Sequence, residues 1–154
     1  MKTFLSCPRC NHNIPLHRNP LPTTDVVIRN GDGIVLIKRK NPPPGWAIPG
    51  GFIDYGESAE EAAIREAMEE TSLEIRDLML LGVYSKADRD PRQHTISIVF
   101  TAFSQGVPKA ADDAIEVGVF TRDNLPTPLA FDHDQILDDF FSTAAKRCGC
   151  MLPG

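Results

Sequence analysis

The sequence predicts one α/β domain, an α/β/α sandwich around a mixed β-sheet. Three features point there. Segments rich in β-branched residues stand before and after a single acidic helix. A second helical pattern closes the chain. The length of 154 residues suits one sizeable core, with no repeat and no interdomain linker. Residues 1–23 read as an irregular N-terminal arm carrying a CxxC pair, 24–147 as the domain, and 148–154 as a tail.

The arm is rich in Pro, Asn, Cys and His and ends at Asn19-Pro20-Leu21-Pro22. Asp25–Arg29 is a strand by its β-branched content. Asn30-Gly31-Asp32-Gly33 is a hairpin turn, and Ile34–Arg39 is the returning strand. Asn41-Pro42-Pro43-Pro44-Gly45 breaks it. Trp46 enters a short strand and reads as core rather than as a platform for a base. In Gly50-Gly51 the missing Cβ atoms allow a sharp turn and close approach to a ligand.

The next segment is the acidic helix. Ser58 followed three residues later by Glu61 has capping-box spacing, and alanines at 59, 62, 63 and 67 favour helix. At about 100° per residue, Glu66, Glu69 and Glu70 fall within roughly a third of the circumference. That arrangement breaks local rules. Glu66 and Glu70 are like charges at i and i+4, and Glu69 and Glu70 lie in the last turn, where the dipole disfavours anions. A solvated acidic face is one account; a bound hard divalent cation is the other.

Beyond the helix, Leu78–Tyr84 is a strand and 85–93 a polar loop. His94–Phe103 alternates as a long strand, Ser104–Asp113 is a second loop, and Ile115–Phe120 is another strand. Thr121–Pro126 is a short helical turn, 128–133 a loop, and Asp134 caps a final helix from about Gln135 to Lys146.

The net charge of −5 argues against a broad nucleic-acid footprint. The chain has no apolar run long enough for a membrane span and no signal-peptide core, so a cytoplasmic protein is expected. Cys7 and Cys10 have the spacing of half a zinc knuckle. Cys148 and Cys150, or His12 and His17, are the candidates to complete a structural zinc site; a vestigial knuckle without metal is the other reading.

Taken with what precedes it, the helix acquires a pattern: Gly51, five residues, Glu57, seven residues, Arg65-Glu66-Ala67, one residue, Glu69-Glu70, one residue, Ser72-Leu73. It resembles the Nudix hydrolase signature G-x5-E-x7-R-E-U-x-E-E-x-G-U, where U is apolar. Ser72 departs from the pattern, standing where the family has the Gly that ends the helix. Trp46-Ala47-Ile48-Pro49-Gly50-Gly51 resembles the lead-in of many members.

The resemblance implies a Nudix-type sandwich and metal-dependent attack of water on the diphosphate of a nucleoside diphosphate derivative. Carried over by position, Gly50, Glu66, Glu69 and Glu70 are metal ligands for Mg²⁺ or Mn²⁺, and Glu57 and Arg65 orient the glutamates. The general base is a glutamate of the signature, Glu69 first, or a later carboxylate: Asp112, Asp113 or Glu116. The loops around 84–97, 109–114 and 129–133 resemble those of small prokaryotic ADP-ribose pyrophosphatases. The likeness runs from Asn19 to Phe140. It implies a substrate such as ADP-ribose, with Arg39, Arg89, Arg92, Asp113 and Glu116 as contacts and a homodimer as the assembly. Arg89 and Arg92 also read as a basic loop that pairs with Asp88 and Asp90.

Three other readings stand beside this one. A zinc-bearing NADH pyrophosphatase would carry a second CxxC and a S-Q-P-W-P-F-P stretch, and both are missing here. A nucleoside triphosphate pyrophosphohydrolase would release pyrophosphate. A non-catalytic ligand sensor would have lost carboxylates that are all present.

Overall fold

The computed structural model describes residues 3–16, 18–112 and 114–149. A hairpin of β1 (Thr3–Ser6) and β2 (Asn13–Leu16) leads. The arm expected to be irregular therefore contains a paired element. The first long strand, β3 (Leu21–Asn30), also begins three residues before the expected boundary at 24. It is followed by β4 (Gly33–Arg39), β5 (Trp46–Ala47) and β6 (Gly50–Phe52). Helix α1 spans Ala59–Thr71. Then come β7 (Ile75–Tyr84), β8 (Thr95–Ser104), β9 (Ala114–Phe120), a 3-10 turn at Arg122–Asn124, and α2 (His133–Gly149). Helix α2 starts earlier than expected. His133 belongs to it, and Asp134 serves its first turn by accepting from the Gln135 amide at 2.8 Å.

The main sheet runs β5-β4-β3-β8-β7, with β6 also on β3 and β9 on β4. It is mixed: β3 and β8 pair in parallel from Leu21–Thr95 to Asn30–Ser104, and the other ladders are antiparallel. Successive strand residues face opposite sides. Val26 and Ile28 accordingly pack with Ala63 and Ala67 of α1. Val27 packs with Ile136, Leu137 and Phe140 of α2. Both faces of β3 are covered, which is why its apolar run does not alternate with polar residues. The small alanines of α1 let that helix lie close to the sheet. Trp46 packs on the α2 side, edge-on to Phe120 at 4.9 Å, as a core residue. No helix of the described residues is long and apolar enough to cross a membrane.

The ends of α1 follow from its sequence. The Glu61 amide donates to Ser58 Oγ at 3.2 Å, and the Ser58 amide donates to Glu61 Oε2 at 2.8 Å. These are the reciprocal bonds of a capping box. At the other end Ser72 takes the left-handed conformation, with φ of 56°, and its amide donates to the Met68 carbonyl. The turn that glycine makes easily is thus made by serine at some cost. Ser72→Gly is expected to stabilise the fold by about 0.5–1 kcal/mol, once the greater freedom of an unfolded glycine is subtracted. Urea unfolding checks it, and an unchanged or lowered midpoint sinks the account.

Candidate active site

The site forms where α1 meets the β6 turn. Here the glycines act by what they lack. A Cβ on Gly51 would collide with the Glu66 carboxylate, and one on Gly50 would collide with the Thr24 carbonyl and Asp25. With hydrogen there instead, the helix sets its carboxylates directly against the backbone of 50–51.

Each glutamate has its own environment. Glu70 is buried, 5% exposed, and its Oε2 accepts the Gly50 amide at 2.9 Å. Burial pushes its carboxyl up to about 8; the Gly50 bond opposes that only in part. Burial also raises the Glu66 carboxyl, against the pull of Arg65. Glu69 is the most exposed of the three. Arg65 binds the cluster together. Its Nε and Nη2 donate to the two oxygens of Glu57, each at 2.9 Å. Its Nη1 donates to Glu66 at 2.8 Å and Glu69 at 3.0 Å, and Nη2 also reaches the Phe52 carbonyl at 3.1 Å. These charge-assisted bonds hold Glu57 below the usual carboxylate range and raise Arg65 further. Because Arg65 draws the carboxylates to itself, they are not gathered as a preformed cage. Among the described residues no three His, Cys, Asp or Glu side chains form one.

Facing the helix across a pocket of about 290 Å³ are Arg39, Arg92 and Phe131, with Asp112 at the rim. The guanidinium carbons of Arg39 and Arg92 lie 4.7 and 5.3 Å from the centre of the Phe131 ring. Phe131 is held at φ of 58°, unusual for a bulky residue. Arg92 is already neutralised: Asp90 accepts its Nη2 at 2.8 Å and its Nε at 3.0 Å. The expected pairing within the loop is therefore observed for Arg92. It is not observed for Arg89.

Arg89 is buried, and its Nε and Nη2 donate to Asp132 at 3.0 and 2.7 Å. Its Nη1 donates to Thr95 at 3.0 Å, and Asp25 lies 3.9 Å away. Each of its three guanidinium nitrogens thus has a protein partner, and Arg89 forms part of the floor of the pocket. Asp25, held by Ser97, is pushed by burial up to about 6. Beside it, His133 is 1% exposed, and burial drives it down to about 3, which keeps it neutral.

Glu66, Glu69, Glu70, Gly50, Arg65, Arg39 and Arg92 thus converge on one pocket. Glu57 stands behind Arg65. Glu116 is not brought there: it pairs with Lys38 at 3.4 Å on the exposed side of β9. Asp113 lies outside the described residues. The floor formed by Asp25, Asp132 and His133 was missed from sequence. Its available signals were an aspartate opening the apolar run Asp25-Val26-Val27-Ile28 and the polar cluster Asp132-His133-Asp134. Cys7 and Cys10 are free thiols at the β1–β2 turn, and no third ligand joins them among the described residues. His17, Cys150 and the side chain of Cys148 lie outside that description.

The NUDIX domain model matches residues 19–140. A relative from Methanocaldococcus jannaschii named ADP-ribose pyrophosphatase is 49% identical over 128 residues, spanning 81% of this chain and 75% of its own. The NUDIX domain of Shewanella oneidensis NrtR, solved with ADP ribose, superposes with a TM-score of 0.76 at 27% identity over 83% of this chain and 90% of that one. A bifunctional NMN adenylyltransferase/ADP ribose pyrophosphatase from Francisella tularensis, solved with AMP and a manganese ion, gives 0.70 at 29% identity over 82% of this chain and 42% of that one. With Glu66, Glu69 and Glu70 carried by α1 and the domain matched over most of the chain, this chain belongs to the Nudix hydrolase family.

Proposed function

We propose that the chain hydrolyses ADP-ribose to AMP and ribose 5-phosphate with the help of a divalent cation. The observation that carries the proposal is Glu70: a carboxylate buried beneath the Gly50 amide, making no ion pair among the described residues, opposite a wall of arginines. The substrate rests on the relatives, one named ADP-ribose pyrophosphatase and one solved with ADP ribose.

The donor set fits a hard cation. Glu66, Glu69, Glu70 and the Gly50 carbonyl offer only oxygens, which suits Mg²⁺ or Mn²⁺. An acid as buried as Glu70 needs either a proton or a cation. When bound, the metal offsets diphosphate charge and makes water more acidic. Arg65, braced by Glu57, orients Glu66 and Glu69. Glu69, the most exposed of the three, accepts the proton of the attacking water. The water oxygen bonds to phosphorus as the bond to the leaving phosphate breaks; Asp112 at the rim is the alternative acceptor. Arg39, which makes no ion pair among the described residues, is the stronger contact for substrate anions, because Asp90 already neutralises Arg92. The cytoplasm is the proposed compartment. A homodimer is the proposed assembly, for which the edge strand β7 offers exposed Met79, Leu80 and Val83. A sensor that binds ADP-ribose without cleaving it would not require the intact glutamate set.

Glu70→Gln and EDTA should each lower ADP-ribose turnover by about a hundredfold or more. The products should be AMP and ribose 5-phosphate by chromatography; pyrophosphate release from triphosphates would point to another substrate, and unchanged rates would overturn the catalytic assignment. Glu70 also sets a pH dependence. Its folded pKa of about 8 lies above the ordinary 4.5, so the folded state binds the extra proton between those values. The contribution to stability is complete below 4.5 and is lost as pH rises through 8. Asp25 (raised to about 6) is mostly ionised across the upper part of this range, and His133 (lowered from 6.5 to about 3) opposes the loss by only about 0.4 kcal/mol, as the unfolded ring gives up its remaining proton above pH 6.5. The metal-free protein should therefore lose about 1–2 kcal/mol between roughly pH 6.5 and pH 8.5, and Mg²⁺ should flatten that slope. Thermal unfolding across this range, with and without Mg²⁺, measures it; a metal-free slope of zero or of the opposite sign refutes the assignment of Glu70.

A further inference from the structure

The mechanism leaves a buried imidazole unused. His133, at the start of α2, lies under the pocket at 1% exposure. The Ile48 amide donates to its Nδ1 at 3.0 Å, so the ring proton sits on Nε2, 3.7 Å from Asp25 Oδ1. With Nδ1 occupied and the ring sealed from water, His133 is not placed to take a proton from substrate. What it does hold is backbone. The 128–133 segment is fastened to the 46–50 segment at three points. The Trp46 amide donates to the Pro128 carbonyl at 2.9 Å, the Ala130 amide donates to the Trp46 carbonyl at 2.8 Å, and Ile48 donates to His133.

The third bond is the one nearest the chemistry. Two residues beyond Ile48, the Gly50 amide meets Glu70 at 2.9 Å. Between them the Pro49 carbonyl accepts from Val26 at 2.9 Å. Remove the imidazole acceptor, and the Ile48 amide is left buried without a partner. It then satisfies itself by moving, and Gly50 moves with it. The imidazole is in turn boxed in. Arg89 grips the neighbouring Asp132, Phe131 stands 5.2 Å off, and Asp25 is held by Ser97. The Arg89 that sequence suggested for phosphate thus braces this fastening.

We propose that His133 is a positioning residue, holding the Ile48–Gly50 backbone in the register that presents Gly50 to Glu70 and the diphosphate. The inference rests on the hydrolase reading for its catalytic consequence. Its structural half stands apart from that reading.

The experiment compares His133→Leu, which removes the acceptor, with His133→Asn, whose Oδ1 can stand in for Nδ1. Amide hydrogen exchange at Ile48 is followed by NMR on the metal-free protein, and kcat and KM for ADP-ribose are measured with Mg²⁺. In H133L, exchange at Ile48 should rise about tenfold or more and kcat should fall about tenfold to a hundredfold, with KM within about threefold. In H133N both should return to within about threefold of the parent. Unchanged Ile48 protection in H133L overturns the proposal, as does lost protection with an unchanged kcat. Equal damage in H133L and H133N would mean that the imidazole serves only general packing, and that too overturns it. If H133L does not fold, His133→Gln, whose acceptor lies one methylene too far, takes its place with the same expectations. If the parent protein leaves ADP-ribose intact, the function proposal fails alone, because the exchange measurement needs no substrate.

Discussion

Everything at this site depends on one close approach: α1 lying against the backbone of Gly50 and Gly51. The Glu66 carboxylate occupies the volume that a side chain at 51 would fill. The Gly50 amide is the direct partner of Glu70. Alanines at 63 and 67 bring the helix down onto Val26 and Ile28, so the core sets the height at which the glutamates stand. Apolar packing and catalytic geometry are therefore consequences of the same contact. Enlarging either the glycines or the alanines would lift the carboxylates off the turn.

That contact also explains why the helix tolerates its own electrostatics. Three anions near a helix C-terminus repel one another and the dipole. Arg65 answers by spanning three of the four glutamates, with Glu57 on one side of the guanidinium and Glu66 and Glu69 on the other. Glu70 lies beyond its reach. The protein leaves Glu70 with a backbone amide and desolvation, which favours the proton in the absence of a cation. One arginine thus separates a braced group of carboxylates from a single acid that a metal would release.

The fold and the α1 half of the site were legible because their signals are local. Capping, helical spacing and the β-branched run of β3 all act within a few residues. Ser72 shows how far such reasoning carries: the position called for glycine, and serine adopts the left-handed conformation there anyway. The opposite half was not legible, because its meaning lies in pairings across long stretches of chain. Arg89 and Asp132 are 43 residues apart, and Ile48 and His133 are 85 apart. From sequence, a basic residue in a polar loop looks available to phosphate. Only the parallel pairing of β3 with β8, and the docking of α2 behind them, shows that Arg89 is buried and bonded to Asp132 and Thr95. Glu116 stands apart for a related reason: β9 pairs with β4 in a register that sets it beside Lys38, away from the pocket.

The two halves are built by different physics, and that difference assigns their roles. The α1 side is anionic, partly exposed at Glu69, and short of a cation at Glu70. Its groups can change partners during a reaction. The floor is charged as well, but internally matched: Arg89 with Asp132 and Asp25, Asp25 with Ser97, His133 with Ile48. No buried side-chain polar atom among the described residues lacks a partner. A network in that state resists rearrangement, since moving any member leaves another unpaired in a dry environment. The floor is thus suited to fixing where Gly50 and Phe131 stand, and the helix to exchanging protons and ions above it. Arg39 sits at the seam between them. It is half-buried and lowered first by burial and then by its neighbour Arg92, with no carboxylate bound among the described residues. Together with its neighbour Lys40, it is a pocket cation that pairs with no carboxylate among the described residues.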